Sequence, residues 1–590
     1  MIQFLSPLDH PKTYQLIKQA LWLVCVIFIS TGTAHSQSGV SANAPSISFY
    51  VGMSESCCGE DPHPVHGIET EDGGYLVLGK TAASNDSWGG FAAKIGPPKP
   101  LGTGEFLEPN ESAALRWSIE LSTSDGKATY LNAASTQTAV FLAGLRANAR
   151  GSIDMYLAKH ALQDGELIWE KSFVASQGSG AIEAIQLTSD GGLIGVGIIN
   201  APQEGLEGFK SFGNPYGGQA HSFYLSAQQV SSNNAPETPL WARTYSDYET
   251  AKSVREIPSG GFVILAGSED GPASLLRVDQ NGEPMWSQSY PNRFEATDVA
   301  LHMNHGEHLG YTFTGHGGEN GVIDGQLTRV DLEGDVIFAR TFGNPRGGIG
   351  QFQGLDRGDP QLIYDECWGI QGLADGGVVV GCGTGIEGCD LVEDQALRQQ
   401  CETDPRRTWR GYVVRFDSEG AVVWQRMDSF AEPNTNDGVA DSASEYVALL
   451  SDGGFLSVVD QGFGVGLLAL NPEGTEPSDS VDHIDGENEE RSDNPTEGDD
   501  DDAEVSESHK ESDEEEPELD RDLEAESDAH HNADGESTGE TMPQGESETV
   551  FAYNGGGCTV QSQQSMPLLF CFALVSFTLL QTQRRKTRHR

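Results

Sequence analysis

Basic residues are scarce in this chain. Its 590 residues carry 35 lysines and arginines against 89 aspartates and glutamates, a formal net charge of −54. Nucleic acids are held by clustered cations, so this balance excludes them as the expected partner. Long apolar runs are also lacking. The two that stand out, Leu21–Ile29 and Met566–Leu580, both fall short of the ~20 residues of a comfortable membrane helix. Gly-x-Ser-x-Gly, His-Glu-x-x-His, a P-loop and an EF-hand loop are all absent, so no catalytic set can be named. Helical patterns are few, while 72 glycines point to a chain rich in turns.

What is present is a repeat. Glu71-Asp72-Gly73-Gly74 precedes the apolar run Tyr75–Gly79, and Ser189-Asp190-Gly191-Gly192 precedes Leu193–Gly197. The phrase returns at Ser259-Gly260-Gly261, Asp375-Gly376-Gly377 and Asp452-Gly453-Gly454, with degenerate copies near 137 and 306. Each reads as a hairpin turn built on positive-φ glycines, followed by a buried strand. The glycine that ends the strand either stops it or lets another backbone approach. A second phrase closes each unit: Asp164-Gly165 before Trp169, Asp279–Gly282 before Trp286, Asp331–Gly334 before Phe338, and Asp417–Gly420 before Trp424. Trp117 and Trp241 end similar strands. An aromatic at that place suits the wedge between neighbouring sheets. Several strands and one aromatic per period of about 63 residues predict an all-β propeller over 45–470, with about seven four-stranded blades.

These phrases resemble the quinoprotein-like and related bacterial propeller repeats, in which an Asp-x-x-Gly turn precedes a Trp that docks on the next blade. The Asp-Gly-Gly phrase is also similar to repeats of exported bacterial proteins. The resemblance implies a fold and hardly any function, since propellers serve as enzymes, adhesins and scaffolds. In quinoprotein alcohol dehydrogenases an adjacent-cysteine ring stacks on the cofactor, which draws notice to Cys57-Cys58. The full docking motif of that family is not met here and the cofactor's ligands cannot be placed, so no cofactor is assigned.

Three further segments frame the repeat. Lys12 and Lys18, the run Leu21–Ile29 and Ala34-His35-Ser36 read as a signal peptide over 1–36, with an uncleaved anchor as the other reading. Between Thr475 and Glu548 stand 31 acidic residues against three basic ones, a local net of −28. Such a stretch cannot bury enough apolar area to repay its ordering, so 475–550 reads as a disordered acidic linker. At 555–590, Gly555-Gly556-Gly557-Cys558 is followed by the apolar run 566–580 and a basic end, Arg584 to Arg590. This tail resembles the C-terminal sorting signals of Gram-negative bacteria, particularly the myxobacterial type. The resemblance implies membrane processing with lipid attachment at Cys558; a plain transmembrane anchor is the alternative.

An even set of six cysteines, Cys57, Cys58, Cys367, Cys382, Cys389 and Cys401, remains in the body, and an exported protein uses such a set for disulfides. The last four are expected to pair among themselves around one insertion. No metal site is assigned: His63 and His66 read as part of a turn-rich loop, and His302, His305, His308 and His316 as strand and turn positions. The expected function is a surface binding or scaffolding module for a protein or glycan, held to the membrane by its C-terminus. An exported propeller enzyme, quinoprotein-like oxidoreductase or hydrolase, is the alternative. Charged groups converging on the channel mouth would favour the enzyme. A smooth channel with an exposed aromatic patch would favour the binder.

Overall fold

A computed structural model describes residues 39–474, apart from 42, 60–61, 83–87, 98–114, 123–126, 175–176, 207–214, 269–270, 292–294, 319–322, 345–351, 353–361, 405–406, 431–440 and 463. The signal segment, the acidic linker and the tail with Cys558 lie outside the described residues. Among those described, no helix is long and apolar enough to cross a membrane.

The chain forms a seven-bladed β-propeller of four-stranded antiparallel sheets. Blades 1 to 6 span 62–121, 128–173, 179–245, 250–290, 296–342 and 362–428, each running from inner to outer strand in sequence order. The seven first strands touch one another in a closed ring and line the axis. Blade 7 has only three strands of its own, Ala443–Leu449, Phe455–Asp460 and Gly464–Leu470; the N-terminal strand Ile47–Ser54 supplies the outermost, with Ile47 opposite Leu470. Just before it, Gly39–Val40 adds a fifth strand to blade 6.

The two sequence phrases take separate jobs. In the Asp-Gly-Gly turn the first glycine takes the positive φ, +83° at Gly191, while the aspartate accepts from the second glycine's N–H (Asp190 Oδ1 to Gly192, 3.0 Å). Of the second glycines, only Gly261 has positive φ; elsewhere the neighbouring strand runs too close for a side chain. The aromatic of the second phrase docks on the turn of the following blade. Trp117 packs on Gly165 and donates to the Leu162 carbonyl at 3.0 Å; Trp241 packs on Gly282 and donates to that of Gln280 at 3.1 Å. Trp286 and Phe338 meet Gly334 and Gly420 in the same way. Apolar cores fill the wedges between adjacent blades, as Ala184, Ile194 and Val196 of blade 3 do with Val254, Phe262 and Ile264 of blade 4. Burial there stabilises at about 25 cal/mol per Å² of apolar surface.

Candidate functional site at the channel mouth

Every inner strand carries a register shift at the same place in its blade. The residue set aside is Val65, Leu131, Glu183, Lys252, Thr297, Trp368 or Glu445, in blade order. A bulge re-aims a side chain, and on the innermost strand the free direction is the axis. All but Glu445 are half-buried, and all of these except Leu131 lie between buried neighbours. The strand-ending glycines of the repeat explain part of this geometry. A Cβ on Gly79 or Gly197 would lie 2.0 Å from a carbonyl oxygen, that of His63 or Ala181, just before the bulge. In blade 6 the same register position holds Cys382, bonded to Cys367 next to the bulged Trp368.

Two residues before the bulge a second tier adds His63, Thr250, Glu295 and Glu366. The two tiers meet at the end of the channel where the inner strands begin. Thr250 donates to the Glu183 carboxylate. Burial pushes Glu183 up to about 7, against the lowering pull of Thr250 and Lys252. Burial also lowers Lys252, opposed by Glu183 and Glu295. His316, from the second strand of blade 5, lies 2.8 Å from Glu295. Burial alone would lower this histidine, but the bond to Glu295 and the charges of Glu295 and Glu366 lift it to about 9. Burial would raise Glu295, yet His316 holds it below the usual carboxylate range. Glu366 is 5% exposed. Burial raises it to about 8, with Glu387, Glu295 and Glu445 adding to the effect and His316 opposing it. The Trp368 ring stands edge-on to His316, centroids 5.9 Å apart.

Below these tiers the channel is crossed. Arg255 of blade 4 reaches past the axis to the Tyr446 hydroxyl of blade 7 and pairs with Asp298 of blade 5 at 2.8 Å. Gln371 of blade 6 donates to Tyr446 at 2.9 Å, and His66 of blade 1 lies on the Tyr446 ring, centroids 4.2 Å apart. Side chains of blades 1, 4, 5, 6 and 7 thus meet across the channel below the mouth.

Several sequence expectations change here. His63 and His66 belong to the inner strand Pro62–Glu69 and not to a loop. The strand proline Pro64 sits next to the bulge, where no ladder bond is lost. Cys57 bonds to Cys58, and both are enclosed by Phe49, Met53, Tyr75 and Phe91 in the core between blades 7 and 1. Cys389–Cys401 staples the insertion after Glu387, whereas Cys367–Cys382 crosses the inner hairpin of blade 6. His302, His308 and His316 stand on the strands of blade 5, with His305 in the turn between them. None of the channel carboxylates was singled out by the sequence reading. Their signal is positional: Glu183, Trp368 and Glu445 each stand seven residues before the turn aspartate, Asp190, Asp375 and Asp452.

No family model matches this sequence, and no curated protein does. Solved structures show a weak likeness to it. One is a europium-containing methanol dehydrogenase, 11% identical with a TM-score of 0.36 over 71% of this chain and 79% of that one. Another is Sqt1 from Chaetomium thermophilum, 11% identical with a TM-score of 0.37 over 73% of this chain and 99% of that one. The same Sqt1, bound to the N-terminus of ribosomal protein L10, gives 0.36 at 11% identity over 73% and 98%. Likeness at this level carries no statement about activity.

Proposed function

We propose that this chain is an exported, membrane-anchored surface protein whose propeller is a binding module for a polyhydroxylated ligand, such as a surface glycan, seated in the mouth of the channel. The observation that carries the reading is the pair of tiers at the mouth, Trp368, Glu183 and Lys252 at the bulges and Glu295 and Glu366 two residues before them. An indole face takes the apolar face of a sugar ring, and carboxylates accept from its hydroxyls. Export rests on the run 21–29 and anchoring on 555–590, both read from sequence.

The convergence of charged groups on the mouth is the feature set out above for the enzyme, and it favours an enzyme in the same pocket. Glu183, Glu366 and His316, shifted to about 7, 8 and 9, can hold and release protons near neutral pH, which suits a hydrolase using general acid–base chemistry. The quinoprotein alternative draws no such support, because the Cys57–Cys58 ring is enclosed by apolar side chains and leaves no face on which a cofactor could stack.

Retention of the full-length protein on immobilised envelope polysaccharide tests the proposal. Wild type should bind, and Trp368→Ala and Glu366→Gln should each weaken binding by at least about tenfold, roughly 1.4 kcal/mol. Equal retention of wild type and both variants would sink the channel reading. Shortening of the polysaccharide by wild type, lost in Glu366→Gln, would replace the binder with the hydrolase.

A further inference from the structure

We propose that the channel mouth holds a divalent transition-metal cation on His63, Glu445 and Asp460, at the seam where blades 1 and 7 meet; this deepens the binding reading above and rests on it. Three separate strands bring the donors together. His63 stands at the start of Pro62–Glu69, Glu445 is the bulged residue of Ala443–Leu449, and Asp460 ends Phe455–Asp460. One ligand atom from each lies within 4.8 Å of the other two. His63 Nδ1 is 2.6 Å from Asp460 Oδ2, and Nε2 is 3.5 Å from Glu445 Oε2. The two distances are to opposite ring nitrogens and only one of them can bind the ion, so the second carboxylate must turn toward the same nitrogen to close the site.

The donor chemistry narrows the ion. One imidazole with two carboxylates suits zinc or manganese better than an all-oxygen calcium cage. Three protein ligands leave a position open toward the channel, where water or a hydroxyl of the bound ligand completes the shell. All three donors are shielded: Glu445 is 6% and Asp460 8% exposed, and the His63 side chain 12%. A single imidazole offsets at most one of two carboxylates, so the trio stays anionic in any state in which both are ionised.

Glu366 adds an independent observation. It is 5% exposed and faces the charge of Glu445. A buried carboxylate beside another is costly. His316 offsets part of this charge but is shared with Glu295. A metal on the trio adds positive charge at this corner of the mouth. It also ties the first blade to the last, so its binding should stabilise the closed ring.

The test uses the full chain, stripped with a chelator and titrated with Zn²⁺, then Mn²⁺, against a chromogenic competitor. One tight equivalent is expected, together with a higher unfolding midpoint. Glu445→Gln and Asp460→Asn, which keep side-chain shape, and His63→Ala should each weaken that equivalent at least tenfold. Glu170→Gln, on the outer strand of blade 2, should leave it intact. The 31 acidic residues of 475–548 will bind further ions weakly, equally in every variant. Absence of a tight equivalent from wild type, or its persistence in all three trio variants, would overturn the site. Glycan retention that survives chelation would remove the cation from the ligand's site while leaving the glycan reading standing. Metal binding that survives Trp368→Ala while wild type ignores the polysaccharide would remove the glycan alone.

Discussion

Glu183 and Glu366 ionise near pH 7 and 8 in the folded protein against 4.5 ordinarily, and His316 near 9 against 6.5. All three shifts are upward, so at these groups the fold binds more protons than the unfolded chain and their contribution to stability falls as pH rises. The two carboxyls act from about 4.5 to 8. The histidine's contribution is complete below 6.5 and is lost as pH passes 9. Glu295, held below its ordinary value, acts in the opposite sense but only at acid pH. Thermal unfolding of the chelator-treated protein should therefore show a midpoint that drops between about pH 6.5 and 9; below that, His66, His221 and His302, which burial holds at about 3, 4 and 4, act in the opposite sense. Glu183→Gln with Glu366→Gln should flatten the drop below pH 8, and His316→Gln should remove what remains above it. A midpoint indifferent to pH would mean that water reaches these groups freely. None of this chemistry was legible from residue identity, because a glutamate in a strand reads as a solvated one. Only the bulge, common to seven strands, reveals that Glu183 and Glu445 turn toward the axis, and a bulge is a property of pairing between two strands.

At the level of the hairpin, the sequence was far more informative. The Asp-Gly-Gly phrase and the docking aromatic both describe local geometry, so turns, strands and the approximate blade number could be read directly. What resisted was long-range. The copy at Asp452–Gly454 is followed by no second phrase, and that omission is the trace of an outer strand supplied from Ile47–Ser54. The partners of Cys57 and Cys58 were not readable from sequence, and they bond to each other within the apolar core between blades 7 and 1. The hairpin of blade 6 offers a test of its own. Cys367 and Cys382 are directly opposed, one residue from the bulged Trp368, and their bond closes a loop of 15 residues. Replacing both by Ala should cost about 3 kcal/mol in urea unfolding, by the loop-entropy relation. It should also weaken glycan retention by freeing the Trp368 backbone. Unchanged stability and retention would show that the ladder alone fixes the bulge.

For the whole molecule, the propeller and the segments around it should behave as separable parts. Mass spectrometry of the mature protein from native membranes is expected to find a chain ending near Cys558 and carrying lipid, a product lost in Cys558→Ala. A chain reaching Arg590 in both would make the tail an ordinary membrane anchor. The ring itself has a different consequence, one of timing. Of the strands of blade 7, 47–54 is made first, and its partner 464–470 is made last. For the whole interval of synthesis the seventh sheet has no outer member, and Tyr50, Val51 and Leu468 have no finished core to enter. Contacts so distant in sequence form slowly and leave apolar edges open meanwhile. A nascent chain stopped short of residue 470 is thus an open ring whose first strand is still waiting, and such fragments should be the species that aggregate or are degraded.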